Sequence, residues 1–162
     1  MGRTAPTILV VDDNRRLLAA VAGLLEGEGY RVRQAGDGAA ALEQALREPP
    51  DLVLSDVAMP RLDGLALARA LRARRPGLPI VLMSAAAGEV ASVPGVPLYP
   101  KPVEPADLLG IVARLLAAPA GRAPGAAVAR QPPDRREGGA RRGDVSGRRV
   151  HRVRPAAASA TR

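Results

Sequence analysis

Asp51-Leu52-Val53-Leu54-Ser55-Asp56-Val57-Ala58-Met59-Pro60 is the stretch on which the reading of the chain turns. Pro49-Pro50 ends whatever helix precedes it. The run Leu52-Val53-Leu54 does not alternate with polar residues. A short unbroken apolar run between turn signals reads as a strand buried on both faces, as in a parallel sheet. Asp56 then stands where the strand runs out, and Pro60 with Asp63-Gly64 marks a loop and the start of a helix. A carboxylate at the carboxyl end of a buried parallel strand is where open α/β sheets place their ligands. The plainer alternative is a loop aspartate that merely ends a strand.

Working outward, Thr7-Ile8-Leu9-Val10-Val11 is a second buried, β-branched strand. It ends in Asp12-Asp13-Asn14. Leu17, Leu18, Val21, Leu24 and Leu25 recur at helical spacing, and Gly27 and Gly29 stop that helix. Arg31 to Ala35 alternates and predicts an exposed strand near the sheet edge. Gly36-Asp37-Gly38 turns the chain, with Asp37 suited to cap the helix that Leu42, Ala45 and Leu46 carry to Pro49. A third helix is expected from about Gly64 to Arg74, with Leu65, Ala68 and Leu71 inward.

Pro79 to Met83 forms a fourth strand ending in Ser84, and Ala85 to Ser92 has room for a short helix at most. Val93-Pro94-Gly95 breaks the chain there. A short fifth strand, Val96 to Tyr99, leads into Pro100-Lys101-Pro102. Pro105 suits the first turn of a last helix, whose apolar face is Leu108, Leu109, Ile111, Val112, Leu115 and Leu116. Five strand–helix units in alternation predict an α/β fold, a doubly wound parallel sheet with helices on both faces.

The chain has 162 residues and no cysteine, which excludes a disulfide frame and thiolate metal sites. No apolar stretch approaches the ~18–20 residues that span a membrane, and no signal-peptide pattern opens the chain. A cytoplasmic location and no membrane partner are expected. The net charge of +8 is uneven. Up to Leu116 there are 13 basic and 13 acidic residues; from Ala117 onward there are 11 arginines against 3 acids, so the whole excess lies in the last segment. That segment is rich in Arg, Ala, Gly and Pro, without an apolar period. It cannot bury enough surface to offset its ordering entropy. A domain at residues 1–117 and a disordered basic tail at 118–162 are therefore expected.

Four of the five strand ends carry polar chemistry: Asp12 and Asp13, Asp56, Ser84, and Lys101. In a parallel sheet these ends converge on one crevice. Three carboxylates together call for a cation, and hard oxygen ligands with room for water suit Mg²⁺. Lys101 is the single lysine of the chain and supplies a compact ammonium opposite. A small tetrahedral anion fits between. A carboxylate can then act as nucleophile and form an aspartyl phosphate, with the cations and the Ser84 hydroxyl on the phosphoryl oxygens. Each residue also has a plainer reading. Asp12 or Asp13 could cap the first helix, Ser84 could be a loop serine, Tyr99 half-buried packing, and Lys101 a solvated lysine.

With these motifs in this order, Val10-Val11-Asp12-Asp13-Asn14, Asp56-Val57-Ala58-Met59-Pro60, Ser84 and Tyr99-Pro100-Lys101-Pro102, the chain resembles the receiver domain of bacterial two-component response regulators. Ala35-Gly36-Asp37-Gly38 resembles the family's second turn. The resemblance covers about Thr7 to Leu116. It implies a flavodoxin-like (βα)5 fold with strand order 2-1-3-4-5. It implies that Asp56 accepts a phosphoryl group from a histidine kinase or phosphotransfer protein. Asp12, Asp13 and the Ala58 carbonyl would bind Mg²⁺ with Asp56, and Lys101 would assist. Ser84 and Tyr99 would be the switch pair, the ring turning into the space that Ser84 leaves. A downstream protein partner, or a dimer, would use the face of helix four, strand five and helix five. The chain departs from the family between Ser84 and Lys101, which is several residues short and holds Pro94 and Pro97. That puts the partner face in doubt and allows a piece of a hybrid kinase.

Two other classes remain. Gly36-Asp37-Gly38-Ala39-Ala40-Ala41 fits a dinucleotide-binding fingerprint, with Asp56 at roughly the distance of a ribose acid. The polar strand before it and the negative Asp37 speak against a nucleotide-binding enzyme. The paired arginines of the tail could neutralise nucleic-acid phosphates, but no aromatic residue is there to stack on bases. A solvated linker, or a GC-rich frame read past its end, accounts for them as well. His151, in the same segment, is expected to be incidental.

Overall fold

The computed structural model describes residues 4–118. The basic segment with its arginine pairs and His151, expected to be disordered, lies outside the described residues. Among the described residues five strands, β1 (Thr7–Val11), β2 (Arg31–Ala35), β3 (Leu52–Asp56), β4 (Ile80–Ser84) and β5 (Leu98–Pro100), form one sheet. Its order is β2-β1-β3-β4-β5, and every pairing is parallel. This is the expected doubly wound order. β3 and β4 are buried along their whole length, and β2 is the half-exposed edge.

Among the described residues four helices cover the sheet: α1 (Arg15–Gly27), α2 (Gly38–Arg47), α3 (Gly64–Arg74) and α4 (Pro105–Ala117). The pleat sorts the strand residues between two cores. Leu9, Val11, Val53, Ile80 and Leu82 face α2 and α3, where Ala41, Ala45, Leu67, Ala68 and Leu71 meet them. Ile8, Val10, Leu54, Val81 and Met83 face α1 and α4, where Leu18, Leu25, Leu108, Ile111 and Val112 meet them. Burying such a side chain stabilises the fold by about 1.5–3 kcal/mol, so both faces are needed to offset the ordering of the chain.

Helix starts follow the local chemistry. Asn14 caps α1 through the N–H groups of Arg16 and Leu17, Asp37 caps α2 through Ala40, and Asp63 caps α3 through Ala66. Pro105 opens α4 as expected.

Several details differ from the expectation. Leu46 does not carry α2 inward: it is 45% exposed, and the buried stripe is Gly38, Ala41 and Ala45. On α3, Leu67 takes the fully buried place expected of Leu65, which is half-buried. β5 starts two residues late, because Val96 is drawn into a bridge with Val93. No helix lies between β4 and β5 among the described residues, so strand–helix alternation holds for four units out of five. There the chain makes turns. Val93-Pro94-Gly95-Val96 closes through Val96 N–H to the Val93 carbonyl at 3.0 Å, with Gly95 at φ 71, a pattern typical of type II turns. Val93 and Val96 are both buried in the α2/α3 core. The guanidinium of Arg72 donates to the Gly95 carbonyl at 2.7 Å and also reaches the Pro76 carbonyl.

Candidate functional site

The strand order reverses between β1 and β3, and the polar strand ends gather at that point. Asp12 follows β1 directly and is 3% exposed; Asp56 is the last residue of β3 and is 6% exposed. Asp13 beside them is exposed. One carboxylate oxygen from each of Asp12, Asp13 and Asp56 lies within 4.8 Å of the others. The Lys101 ammonium bridges two of the three, at 2.9 Å from Asp12 Oδ2 and 2.8 Å from Asp56 Oδ1. Asp12 Oδ1 also accepts the Asn14 N–H at 2.8 Å.

Burial is the largest single influence on Lys101 and favours its neutral form. The hydrogen bonds to Asp56 and Asp12, together with their charges, outweigh it, and the ammonium pKa lies above the ordinary lysine value. Lys101 is therefore charged throughout the neutral range. Three carboxylates and one ammonium leave a formal charge of −2, which one divalent cation balances. All the protein donors are oxygens, the set a hard ion such as Mg²⁺ prefers.

The backbone around Asp56 is held on several sides. Val57 N–H donates to the Met83 carbonyl and Gly64 N–H to the Val57 carbonyl, each at 2.9 Å. Gly64 packs directly on the end of β3: a Cβ there would lie 2.0 Å from the Asp56 carbonyl oxygen. Gly38, at the start of α2, packs as closely on the loop that follows β3, where a Cβ would lie 2.2 Å from the Leu62 carbonyl oxygen. Asp37, the α2 cap, also pairs with the exposed Arg61. The Ala40 N–H is the leading cause of its lowered pKa; burial opposes the shift, while the Arg61 charge and the Ala39 N–H add to it. Arg61 has a positive φ of 69, left-handed backbone that a side chain rarely adopts.

The site residues expected from the sequence are placed as follows. Asp12, Asp13, Asp56 and Lys101 come together. Because Asn14 caps α1, Asp12 and Asp13 are not needed as its caps. Ser84 closes β4 on the neighbouring strand and is 3% exposed; its hydroxyl accepts the Ala86 N–H at 3.1 Å, and its carbonyl accepts the Lys101 N–H at 2.9 Å. The Ala58 carbonyl takes no hydrogen bond among the described residues and remains available as a donor to a cation.

Tyr99 does not share a face with Ser84, as the expected switch pair would. Ser84 shares the pleat face of Leu82, while Tyr99 pairs with Met83 and packs into the opposite, α1/α4 core. Its hydroxyl accepts from Arg114 at 2.9 Å. The strand-five residues on the Ser84 face are Pro100, its register partner, and Leu98, which packs into the α2/α3 core. The dinucleotide reading also falls. β2 is an edge strand, and the Leu62 carbonyl occupies the place beside Gly38 that a phosphate would need. Gly38, Arg61 and Gly64 were not legible as part of this site. The pairs Asp37-Gly38 and Asp63-Gly64 signal turns, but nothing local says that both turns pack on one loop.

The family described as the response regulator receiver domain matches residues 8–112. The response regulator MprA of Mycobacterium leprae is 39% identical over 114 residues, which are 67% of this chain and 50% of that protein. A CheY-like response regulator receiver domain protein from Methanospirillum hungatei has a TM-score of 0.62 at 30% identity, over 69% of this chain and 94% of its own. The receiver domain of the hybrid histidine kinase CckA has a TM-score of 0.59 at 34% identity, over 68% and 98%. The chain spans half or less of the length of the curated relatives it matches. Strand order, acidic crevice and family match converge: the chain belongs to the response regulator receiver family and is a phospho-accepting signalling module.

Proposed function

We propose that Asp56 accepts a phosphoryl group from a histidine kinase or phosphotransfer protein, with Mg²⁺ held by Asp12, Asp13, Asp56 and the Ala58 carbonyl. The observation that carries this reading is the Lys101 ammonium bridging Asp12 and Asp56 beside a third carboxylate. A carboxylate oxygen of Asp56 forms the bond to phosphorus as the bond from phosphorus to the donor imidazole breaks, and the imidazole departs as the leaving group. Lys101 neutralises charge on the phosphoryl oxygens in flight, and its ion pair holds the Asp56 carboxylate in place as the nucleophile. The metal, when bound, supplies further positive charge to the same oxygens. The Ser84 hydroxyl donates to a phosphoryl oxygen once the bond has formed, while its lone pair can still accept from Ala86.

The reading extends to a cytoplasmic regulatory role in a phosphorelay. No described helix is long and apolar enough to cross a membrane. Downstream contacts, and any dimer, belong on β5 and α4, since no helix stands in the fourth crossover to complete a three-element face. The test is the intact mass of the chain after incubation with acetyl phosphate and Mg²⁺. One phosphoryl group per chain is expected on the wild type and none on Asp56→Asn, whose amide is a poor nucleophile. Asp13→Ala is expected to weaken Mg²⁺ binding. Label that persists on Asp56→Asn places the acceptor elsewhere.

A further inference from the structure

The segment from Val57 to Gly64 is a closed unit. It leaves the sheet at Asp56 and returns at Gly64, whose N–H donates to the Val57 carbonyl while its backbone packs on the Asp56 carbonyl. Leu62 N–H donates to the Pro60 carbonyl at 2.9 Å, so the far side of the loop is fixed against its own middle. Two contacts then fasten that far side to α2. The Leu62 carbonyl lies against Gly38, where no Cβ would fit. The two oxygens of Asp37 divide their work: Oδ1 accepts the Ala40 N–H at 2.9 Å and caps α2, and Oδ2 accepts the guanidinium of Arg61.

Arg61 holds a left-handed backbone, φ 69, that costs free energy for any residue but glycine. The ion pair it makes is exposed on the arginine side, and exposed pairs add little stability. Neither feature is accounted for as a means of stabilising the fold. Strain of this kind persists where the surroundings hold it and clusters where position matters. The loop it constrains is the one that carries the Ala58 carbonyl and begins at the acceptor.

We propose that Asp37 and Arg61 are positioning residues for phosphoryl acceptance: their pairing pins the loop of residues 57–63 to α2 and so fixes the Ala58 carbonyl relative to Asp56. This rests on Asp56 as the acceptor. Neither side chain touches the reacting atoms; both act through the backbone between them and the site. A donor group displaced by a fraction of an ångström loses metal affinity and in-line geometry together.

Three variants separate this role from folding. Asp37→Asn keeps the cap, because asparagine caps as well as aspartate, but loses the charge. Arg61→Gly loses the charge and relaxes the backbone, since glycine adopts φ 69 freely. Arg61→Lys keeps a cation. Thermal midpoints are read beside Mg²⁺ affinity by calorimetry, the rate of mass gain with acetyl phosphate, and hydrogen exchange at the Met59 and Leu62 amides. Asp37→Asn and Arg61→Gly are expected to fold, to exchange faster at those amides, to bind Mg²⁺ more weakly, and to accept phosphate about tenfold more slowly or worse, as a misplaced reacting group does. The double variant is expected to be no slower than the slower single one, because both break one contact, and Arg61→Lys should stay near wild type. Phosphorylation of Asp37→Asn and Arg61→Gly at the wild-type rate with unchanged Mg²⁺ affinity overturns the positioning role alone. A wild type that takes up no phosphate overturns the acceptor reading, and this proposal with it.

Discussion

Ala58 stands two residues after Asp56 and Ala86 two residues after Ser84, and both are exposed. Hydrolysis of an aspartyl phosphate needs a water in line with the phosphorus, and a side chain flanking the crevice can hold it by a hydrogen bond. A methyl group can neither donate nor accept. The Ala86 N–H is engaged with the Ser84 hydroxyl, so the backbone there is not free to take over. A long-lived phosphorylated state is therefore expected. Ala58→Asn combined with Ala86→Glu should shorten it, and positioning effects of this kind are often worth ~10²-fold. Loss of the phosphorylated mass after removal of excess donor measures it; equal or slower decay in the double variant rules out side-chain water placement as the control of lifetime. At the same scale, Lys101 was legible because it is the single lysine among many arginines. The sequence did not disclose the face of Tyr99, for a physical reason. A three-residue strand between prolines has too little alternation to show which side chains share a face with Ser84, and the register with β4 puts Leu98 and Pro100 there and Tyr99 on the other face.

At the scale of the element, the fourth crossover is the feature the sequence half disclosed. Pro94 and Gly95 mark a break, and the break is there as a turn. What composition could not show is that the segment still supplies core. Two valines three residues apart across a Pro-Gly pair match neither a helical stripe nor a strand alternation, yet the turn folds Val93 and Val96 back into the α2/α3 core. They cover the sheet where a helix would otherwise lie, and Arg72 anchors the turn from α3. Val96→Ala is accordingly expected to destabilise the fold by about 1–3 kcal/mol, the range for deleting a buried aliphatic group. Urea unfolding checks this through a lower midpoint at an unchanged slope. A midpoint equal to wild type would mean that the segment lies on the domain without being part of its core. By contrast the long, periodic elements α1, α3 and α4, and the unbroken strands β1, β3 and β4, follow their sequence signals to within a residue or two, because burial on one or two faces dominates every local preference there.

For the molecule as a whole, charge and buried apolar surface are both unevenly distributed along the chain. The chain is electrically balanced up to Leu116, and the excess of +8 lies beyond it. The buried apolar residues found among the described residues run from Ile8 to Leu115. Within that span the sheet has α1 and α4 on one face and α2, α3 and the β4–β5 turns on the other. Among the described residues both apolar faces of the sheet are covered. α4 ends at Ala117 with its buried stripe already complete at Leu115. We therefore expect a chain that ends at Ala118 to fold, to bind Mg²⁺ and to accept phosphate as the full chain does. Its thermal midpoint should fall within about 2 °C of the full-length value, a shift that corresponds to well under 1 kcal/mol for a domain of this size. A larger drop would show that residues 119–162 contribute contacts to the domain. Equal stability with slower phosphorylation would instead give them a role in reaching the phosphoryl donor.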